Sequence, residues 1–313
     1  MKPSKDDILA ATERIASFIH HTPILQSHII NELVDANLFF KCENFQRAGA
    51  FKMRGATNAI LSLKEKAFQN GVATHSSGNH AAALSLAAKD LGVKAFIVMP
   101  DNSSKVKIEA VKQYGGQITF CEATVKGREE MLATIISSTN AIEIHPYNNP
   151  FIIAGQATAA KELLNEVKSL EYIIAPVGGG GLLSGTALSA YYFSPTTSVI
   201  AAEPNNADDA YRSFKSGKIE PVSPKQTIAD GLRTSLGTIT FPIIMDHVSE
   251  ILTVSEESII EAMRLIWTRM KIIIEPSSAV PLAAILSNKE KFRNKKIGII
   301  ISGGNVDIDH LPW

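Results

Sequence analysis

Two stretches carry groups whose type and spacing could do chemistry on a small polar molecule. In GAFKMRGA, Gly49 to Ala56, a lysine stands between a phenylalanine and an arginine, just after a strand-like run. A lysine kept from water by such neighbours has its ammonium form disfavoured, which leaves a neutral amine able to form a Schiff base with an aldehyde. In VGGGGLLSG, Val177 to Gly185, four consecutive glycines follow a strand run and enter a helix. Each glycine costs a helix about 0.5–1 kcal/mol relative to alanine, so the run suggests that something needs the backbone itself. A phosphate does, because glycines let it approach several N–H groups and the helix dipole adds attraction. A flexible turn is the plainer reading of the same letters.

Two further loops sit at comparable places. SSGNH, Ser76 to His80, follows the run GVATHSS and opens a helix near Asn79. Unpaired N–H donors at a helix N-terminus suit an anion, although Ser and Asn also serve as ordinary caps there. ISGGN, Ile301 to Asn305, ends the last apolar run and would hold the Ser302 hydroxyl at a strand tip. Rival phosphate motifs fail on spacing. Gly178 and Gly180 lead to Leu183, and Gly179 and Gly181 lead to Ser184, so neither frame completes the dinucleotide fingerprint, although Glu203 ends the next strand about twenty residues on, as that motif requires. No GK[ST] follows for a nucleoside-triphosphate loop, and Leu182 replaces the first glycine that a nucleophile elbow at Ser184 would need.

The elements that must position these loops alternate. From residue 37 onward, strand-like runs at 37–43, 71–77, 94–100, 117–122, 141–146, 172–178, 198–204 and 295–302 are separated by stretches with helical period, such as 79–90, 105–114 and 126–138. Such alternation predicts parallel sheets covered by helices, with ligand sites at the carboxyl ends of strands. The strand units between about 70 and 147 could close as a small sheet of their own, which leaves the flanking segments to build a larger lobe. In 313 residues, 31 basic side chains balance 31 acidic ones, so no net field favours nucleic acid or an anionic membrane, and a small ligand is expected. Cys42 and Cys121 are too few for a disulfide framework and read as core thiols of a reducing compartment. MKPSKDDILA lacks the apolar core of a signal peptide and no apolar run approaches a membrane span, so a cytoplasmic protein is expected.

Taken together, GAFKMRGA, SSGNH, AGQAT, VGGGGL, AAEPNNADD, IADGLRTSLG, IEPSSA and SGGNVD occur in the order seen in the fold type II pyridoxal phosphate enzymes, and the chain resembles the serine racemase and L-serine/L-threonine dehydratase family from about His21 to Asp307. The resemblance implies a tryptophan-synthase-β-like α/β fold of two parallel-sheet domains, with residues 1–69 and 148–313 forming the large one, 70–147 the small mobile one, and pyridoxal 5'-phosphate in the cleft. It implies a short form without a regulatory domain, a homodimer, and α,β-elimination of L-serine and L-threonine to 2-oxo acid and ammonia with linked serine racemisation. Lys52 would carry the cofactor, Phe51 would border its ring, Asn79 would bond its phenolic oxygen, and Gly178, Gly179, Gly180, Gly181 and Leu182 would donate N–H groups to its phosphate. Ser302 would meet the pyridine nitrogen. Ser76, Ser77, Asn79 and His80 match the loop that takes the substrate carboxylate, and Ser77 also matches the acid/base on the face opposite Lys52.

Three implied features have competing readings. Arg128 matches an arginine that can meet a second carboxylate, which would admit 3-hydroxyaspartate, or it pairs with Glu129 or Glu130 on its own helix. Glu203 and Asp209, with the carbonyl of Ala207, match a site for Mg²⁺, Ca²⁺ or Mn²⁺, or Asp208 and Asp209 simply begin a helix. An NAD-dependent oxidoreductase and a cofactor-binding protein without catalysis are the readings from other classes. The sequence departs from the bacterial dehydratase pattern at Ala81 and Ala82, where glycine or alanine and then glutamine are usual, at Ala157 for glycine, and at Tyr147, where mammalian racemases carry asparagine.

Overall fold

Ten strands fall into two separate sheets in the computed structural model, which describes residues 1–63 and 65–313. The strands are β1 (Ile24–Leu25), β2 (Asn37–Cys42), β3 (Val72–His75), β4 (Ala95–Pro100), β5 (Gln117–Cys121), β6 (Ile142–Glu143), β7 (Tyr172–Pro176), β8 (Ser198–Pro204), β9 (Glu250–Val254) and β10 (Lys296–Ile301). One sheet has the order β1-β2-β10-β7-β8-β9 and the other β5-β4-β3-β6. All pairings are parallel except β1 on β2. In β10 and β4 every residue but one is buried, as expected of central parallel strands covered by helices on both faces.

Each of the eight runs marked in the sequence contains a strand, and the helices Asn79–Asp90, Lys105–Gln113 and Val125–Thr139 coincide with the periodic stretches between them. Three details differ. The run at 141–146 yields only the two residues of β6, because the His145 imidazole Nδ1 accepts the N–H of Tyr147 and of Asn148 (3.3 and 2.9 Å) and turns the chain out of the sheet. β9 and the two-residue β1 were not marked; both are edge strands, and β9 interleaves polar residues (EILTV) that break the apolar run. The antiparallel edge β1 also departs from the expectation of purely parallel sheets.

The lysine of GAFKMRGA opens the helix Lys52–Leu63, which is pinned from two sides. It crosses Pro150–Glu166 so closely that a Cβ on Gly155 would stand 2.6 Å from the Arg54 carbonyl oxygen. Arg54, two residues after the lysine, is fully buried and gives its guanidinium to Glu43 (2.6 Å) and Glu162 (2.7 Å), while the equally buried Lys41 ammonium also meets Glu162 (2.6 Å). A buried ion cluster holds only if its donors and acceptors are satisfied. Here Thr22 and Thr158 complete the set. Both cysteines are free and buried; burial pushes the Cys42 thiol up to about 12, so it stays protonated. Among the described residues no helix is long and apolar enough to cross a membrane.

Candidate active site

Four strand ends supply the site. β3 runs into Ser76–His80, β7 into the glycine loop, β10 into Ser302–Asn305, and β2 leads through two short turns to Lys52. Hydrogen bonds join these loops. Phe51 N–H donates to the Ser302 carbonyl (2.9 Å) and Gly304 N–H to that of Gly49 (2.9 Å). Asn305 Nδ2 donates to Asn79 Oδ1 (2.9 Å).

The segment Ile144–Tyr147 connects the rest. Its Ile144 carbonyl accepts from His80 Nε2 (3.0 Å), its Pro146 carbonyl accepts from Lys52 Nζ (2.8 Å), and the Tyr147 ring lies against the bare Cα of Gly179. Because Tyr147 follows Pro146 directly, a lysine remote in sequence from the glycine loop is brought to it.

Lys52 is only part-buried by surface area, yet its ammonium is enclosed well enough that desolvation pulls its pKa down to about 8. The nearby Glu275 carboxylate acts in the opposite direction. Its Nζ lies 5.1 Å from the centroid of the Phe51 ring, which packs on the core cluster that contains Leu182. A lysine with a weakened ammonium was expected from the sequence, and the geometry supplies it.

The glycine loop is a fit for a phosphate on its own geometry. The helix Gly181–Phe193 begins after Gly180, which has φ 87° and provides no side-chain cap. Gly178, Gly179, Gly180, Gly181 and Leu182 are buried, and among the described residues their backbone N–H groups meet no acceptor. Buried N–H donors left together are costly unless an outside acceptor takes them, and a phosphate would take several. The flexible-turn reading fails, because the loop is buried and packed: a Cβ at Gly178 would be 2.8 Å from Leu232 Cα, and one at Gly180 would be 2.9 Å from Thr240 Oγ1. Pyridoxal phosphate therefore fits: donors for its phosphate, a weakened amine for its aldehyde, and polar groups at the other ring positions.

Among those polar groups, Ser302 is 3% exposed and its hydroxyl lies 2.9 Å from that of Ser278. Ser278 in turn accepts from Gly303 N–H and lies equally close to the Gly303 carbonyl (both 2.7 Å); when its single proton turns to Ser302 and not to that carbonyl, the Ser302 hydroxyl is free to turn its own proton toward an acceptor in the cleft. Asn79 Nδ2 donates to both oxygens of Glu275 (3.0 and 2.9 Å). Ser76 Oγ accepts from Gly78 N–H (3.3 Å), and Ser77, part-buried, makes no side-chain hydrogen bond among the described residues. Gly78 caps the helix Asn79–Asp90 without any side chain, so this N-terminus too is left open for an anion rather than capped by its serines. His80 can serve only through its backbone. Its Nε2 donates to Ile144, its buried Nδ1 is a bare acceptor without a partner among the described residues, and burial next to Lys52 lowers its pKa to about 3.

Arg128 does not pair with Glu129 or Glu130. Among the described residues it forms no ion pair, its Nε donates to its helix cap carbonyl at Thr124 (3.2 Å), and its charge is felt at His75 and Tyr147. His75 and His145 stand with ring centroids 6.4 Å apart, and His145 meets the Tyr147 ring at 4.6 Å. These two histidines and Glu275 were not singled out from the sequence, although AIEIHP and IEPSSA contain two of them.

Behind the glycine loop, Glu203 and Asp209 are fully buried and Ala207 nearly so. Glu203 accepts from Ala210 and Tyr211 N–H (2.9 and 2.8 Å), and among the described residues both oxygens of Asp209 lack a partner. Burial pushes the Glu203 carboxyl well up, helped by Asp209, and lifts Asp209 to about 7. An orphaned buried carboxylate next to a second one suits a hard divalent cation. The same contacts correct the dinucleotide alternative: Glu203 points inward at the helix that follows it and cannot reach a ribose.

Comparison with known proteins identifies the family. A model of the family described as "Pyridoxal-phosphate dependent enzyme" matches residues 15–303. The chain is 52% identical to the beta-hydroxyaspartate dehydratase of Paracoccus denitrificans over 99% of each chain. The crystal structure of serine racemase from Dictyostelium discoideum superposes with a TM-score of 0.93 at 51% identity, covering 97% of this chain and 98% of that one. The structure of maize serine racemase gives 0.96 at 45% identity, covering 99% and 95%.

Proposed function

Because this chain belongs to the pyridoxal-phosphate dependent enzyme family, we propose that it is a serine racemase and serine/threonine ammonia-lyase, releasing 2-oxo acid and ammonia from L-serine and L-threonine and interconverting the serine enantiomers. The observation that carries the reading is the joining of a lysine of lowered pKa to an uncapped, buried glycine-rich helix start through Pro146 and Tyr147. When bound, pyridoxal phosphate supplies the ring that withdraws the electron pair left at the α-carbon.

The protein's own residues do the rest. Lys52 holds the cofactor and then moves the α-proton on one face; Phe51 borders the ring, Asn79 meets the phenolic oxygen, Ser302 the pyridine nitrogen, and Gly178 to Leu182 the phosphate. Ser76, Ser77, Asn79 and the His80 backbone receive the substrate carboxylate at the open start of the helix Asn79–Asp90. With Ser77 as the acid/base on the opposite face, a proton lost on one side and returned on the other is racemisation. Loss of the β-hydroxyl as water instead leaves an enamine that hydrolyses to 2-oxo acid and ammonia. A neutral hydroxyl at Ser302 would not hold a proton on the ring nitrogen as a carboxylate would, which would weaken the electron withdrawal that the ring supplies and favour elimination.

The same reading takes residues 70–147 as a small domain that closes on the substrate and residues 1–69 and 148–313 as the large one. It takes Glu203, Asp209 and the Ala207 carbonyl as ligands of Mg²⁺, or Ca²⁺ or Mn²⁺ in its place, and the enzyme as a cytoplasmic homodimer. A second reading, a threo-3-hydroxyaspartate ammonia-lyase, is favoured by one observation. Arg128, without an ion-pair partner among the described residues, shares its surroundings with His75 and Tyr147 and could take a second carboxylate.

The test is an assay of 2-oxo acid and D-isomer together, on serine, threonine and 3-hydroxyaspartate, with and without Mg²⁺. Release of 2-oxo acid from serine is expected, and its absence with every substrate overturns the lyase reading. Ser77→Ala should suppress racemisation more than dehydration of L-serine. Equal loss of both contradicts the two-face assignment.

A further inference from the structure

We propose that Glu275 is a positioning residue for this reaction: its carboxylate locks the Asn79 amide in one orientation, with a single N–H left to face the cofactor's phenolic oxygen. The proposal rests on the reading above that Asn79 meets that oxygen. Glu275 occupies the N-cap position of the helix Pro276–Ser287, yet its side chain makes no cap bond there. It reaches Asn79 instead, 196 residues away in sequence, and is 4% exposed.

The Asn79 nitrogen lies 3.0 and 2.9 Å from the two Glu275 oxygens. A nitrogen equidistant from both oxygens shares one hydrogen between them, which keeps its second hydrogen free. On its other side the Asn79 carbonyl oxygen accepts from Asn305 Nδ2, which also donates to the Ala48 carbonyl (2.8 Å). Flipping the amide would break its contacts with both partners and set like against like. The backbone of Glu275 is anchored to the turn that presents Ser302, and its carboxylate lies against that turn. Glu275 N–H donates to the Gly303 carbonyl (3.1 Å), and a Cβ on Gly303 would stand 2.9 Å from Glu275 Oε1, so a glycine there makes the room.

Asn79 is therefore set by the Glu275 carboxylate, and the turn that presents Ser302 is held by the backbone N–H of the same residue. The charged groups around the carboxylate are Lys52, Asp230 and Lys107, the last two paired with each other across the two sheets' units. A carboxylate offers acceptors at both tips, whereas a glutamine offers one acceptor and one donor. Glu275→Gln thus removes the shared bond, frees the amide to turn its oxygen inward, and leaves the shape nearly unchanged.

The experiment compares the cofactor-loaded wild type with Glu275→Gln, Glu275→Asp and Asn79→Ala. It follows the visible absorption of the bound cofactor across pH, which reports whether the shared proton sits on the imine nitrogen or on the phenolic oxygen, together with kcat and KM for serine. Glu275→Gln is expected to shift the ratio of the two forms by about tenfold toward oxygen protonation, one pKa unit. Its kcat should fall by roughly as much while KM stays within about threefold. Glu275→Asp, which keeps two acceptors, should restore part of the ratio; should the glutamine variant fail to fold, the aspartate variant is read by the same intermediate shift. A shift in Asn79→Ala with none in either Glu275 variant overturns this proposal alone. An unshifted spectrum in Asn79→Ala overturns the Asn79 contact and the proposal with it.

Discussion

Lys52 joins two opposing influences, burial that favours its neutral amine and the Glu275 carboxylate that favours its ammonium, and burial prevails with a pKa of about 8. Only the neutral amine attacks an aldehyde. The rate at which cofactor-free protein captures pyridoxal phosphate should therefore rise about tenfold per pH unit below that value and level off above it, whereas an ordinary lysine would keep accelerating toward ~10.4. Stopped-flow absorbance at a series of pH values measures this, and a rate still climbing steeply above about pH 9 contradicts the burial argument. The lysine was legible because its neighbours were informative: Phe51, Ala50 and nearby glycines already implied desolvation. Glu275 and His145 were not legible in that way. Each acts through a contact with a residue distant in sequence or with the backbone beside it, and nothing in IEPSSA or AIEIHP states which partner will arrive.

The glycine loop shows the same contrast for a whole element. Four glycines in a row suggested that the backbone was needed, and among the described residues the N–H groups of the loop are uncapped. The sequence did not reveal that the glycines also make room for Tyr147, Leu232 and Thr240, which are packed against them from three other parts of the chain. Gly179→Ala would drive a Cβ into the Tyr147 ring, and relieving such overlap costs about 1–3 kcal/mol. Taken up by the loop, that displacement should weaken cofactor binding by roughly 5- to 150-fold, read as the pyridoxal phosphate dissociation constant of the refolded apoprotein. Affinity within a factor of about two of wild type would mean the loop does not hold the phosphate. Strands were legible where their burial is two-sided, as in β4 and β10, and were missed at the two edges of the six-stranded sheet, where β9 mixes polar residues and β1 is two residues long.

Across the whole molecule, function depends on two sheets that share no strand and meet through loops. The four-stranded sheet is inserted between β2 and β7, so Lys52 precedes it, the glycine loop follows it, and Ser76–His80 and Ile144–Tyr147 come out of it. The alternation of strands and helices foretold parallel sheets, and neutral charge with equal acids and bases pointed to a small ligand. The segment that connects everything, Ile144–Tyr147, lay hidden inside a run that reads as strand up to Pro146, because the His145 imidazole that holds its turn is not a turn-forming residue by type. Centrally, we propose that pyridoxal phosphate is held on one particular amine in the cleft between these sheets. Borohydride reduction of the cofactor-loaded enzyme, followed by proteolysis and mass mapping, tests this most directly: the reduced pyridoxyl group should be found on the peptide that contains Lys52 and should vanish from it in Lys52→Ala. A label on another lysine, such as Lys41 or Lys107, or no label at all, would contradict the account.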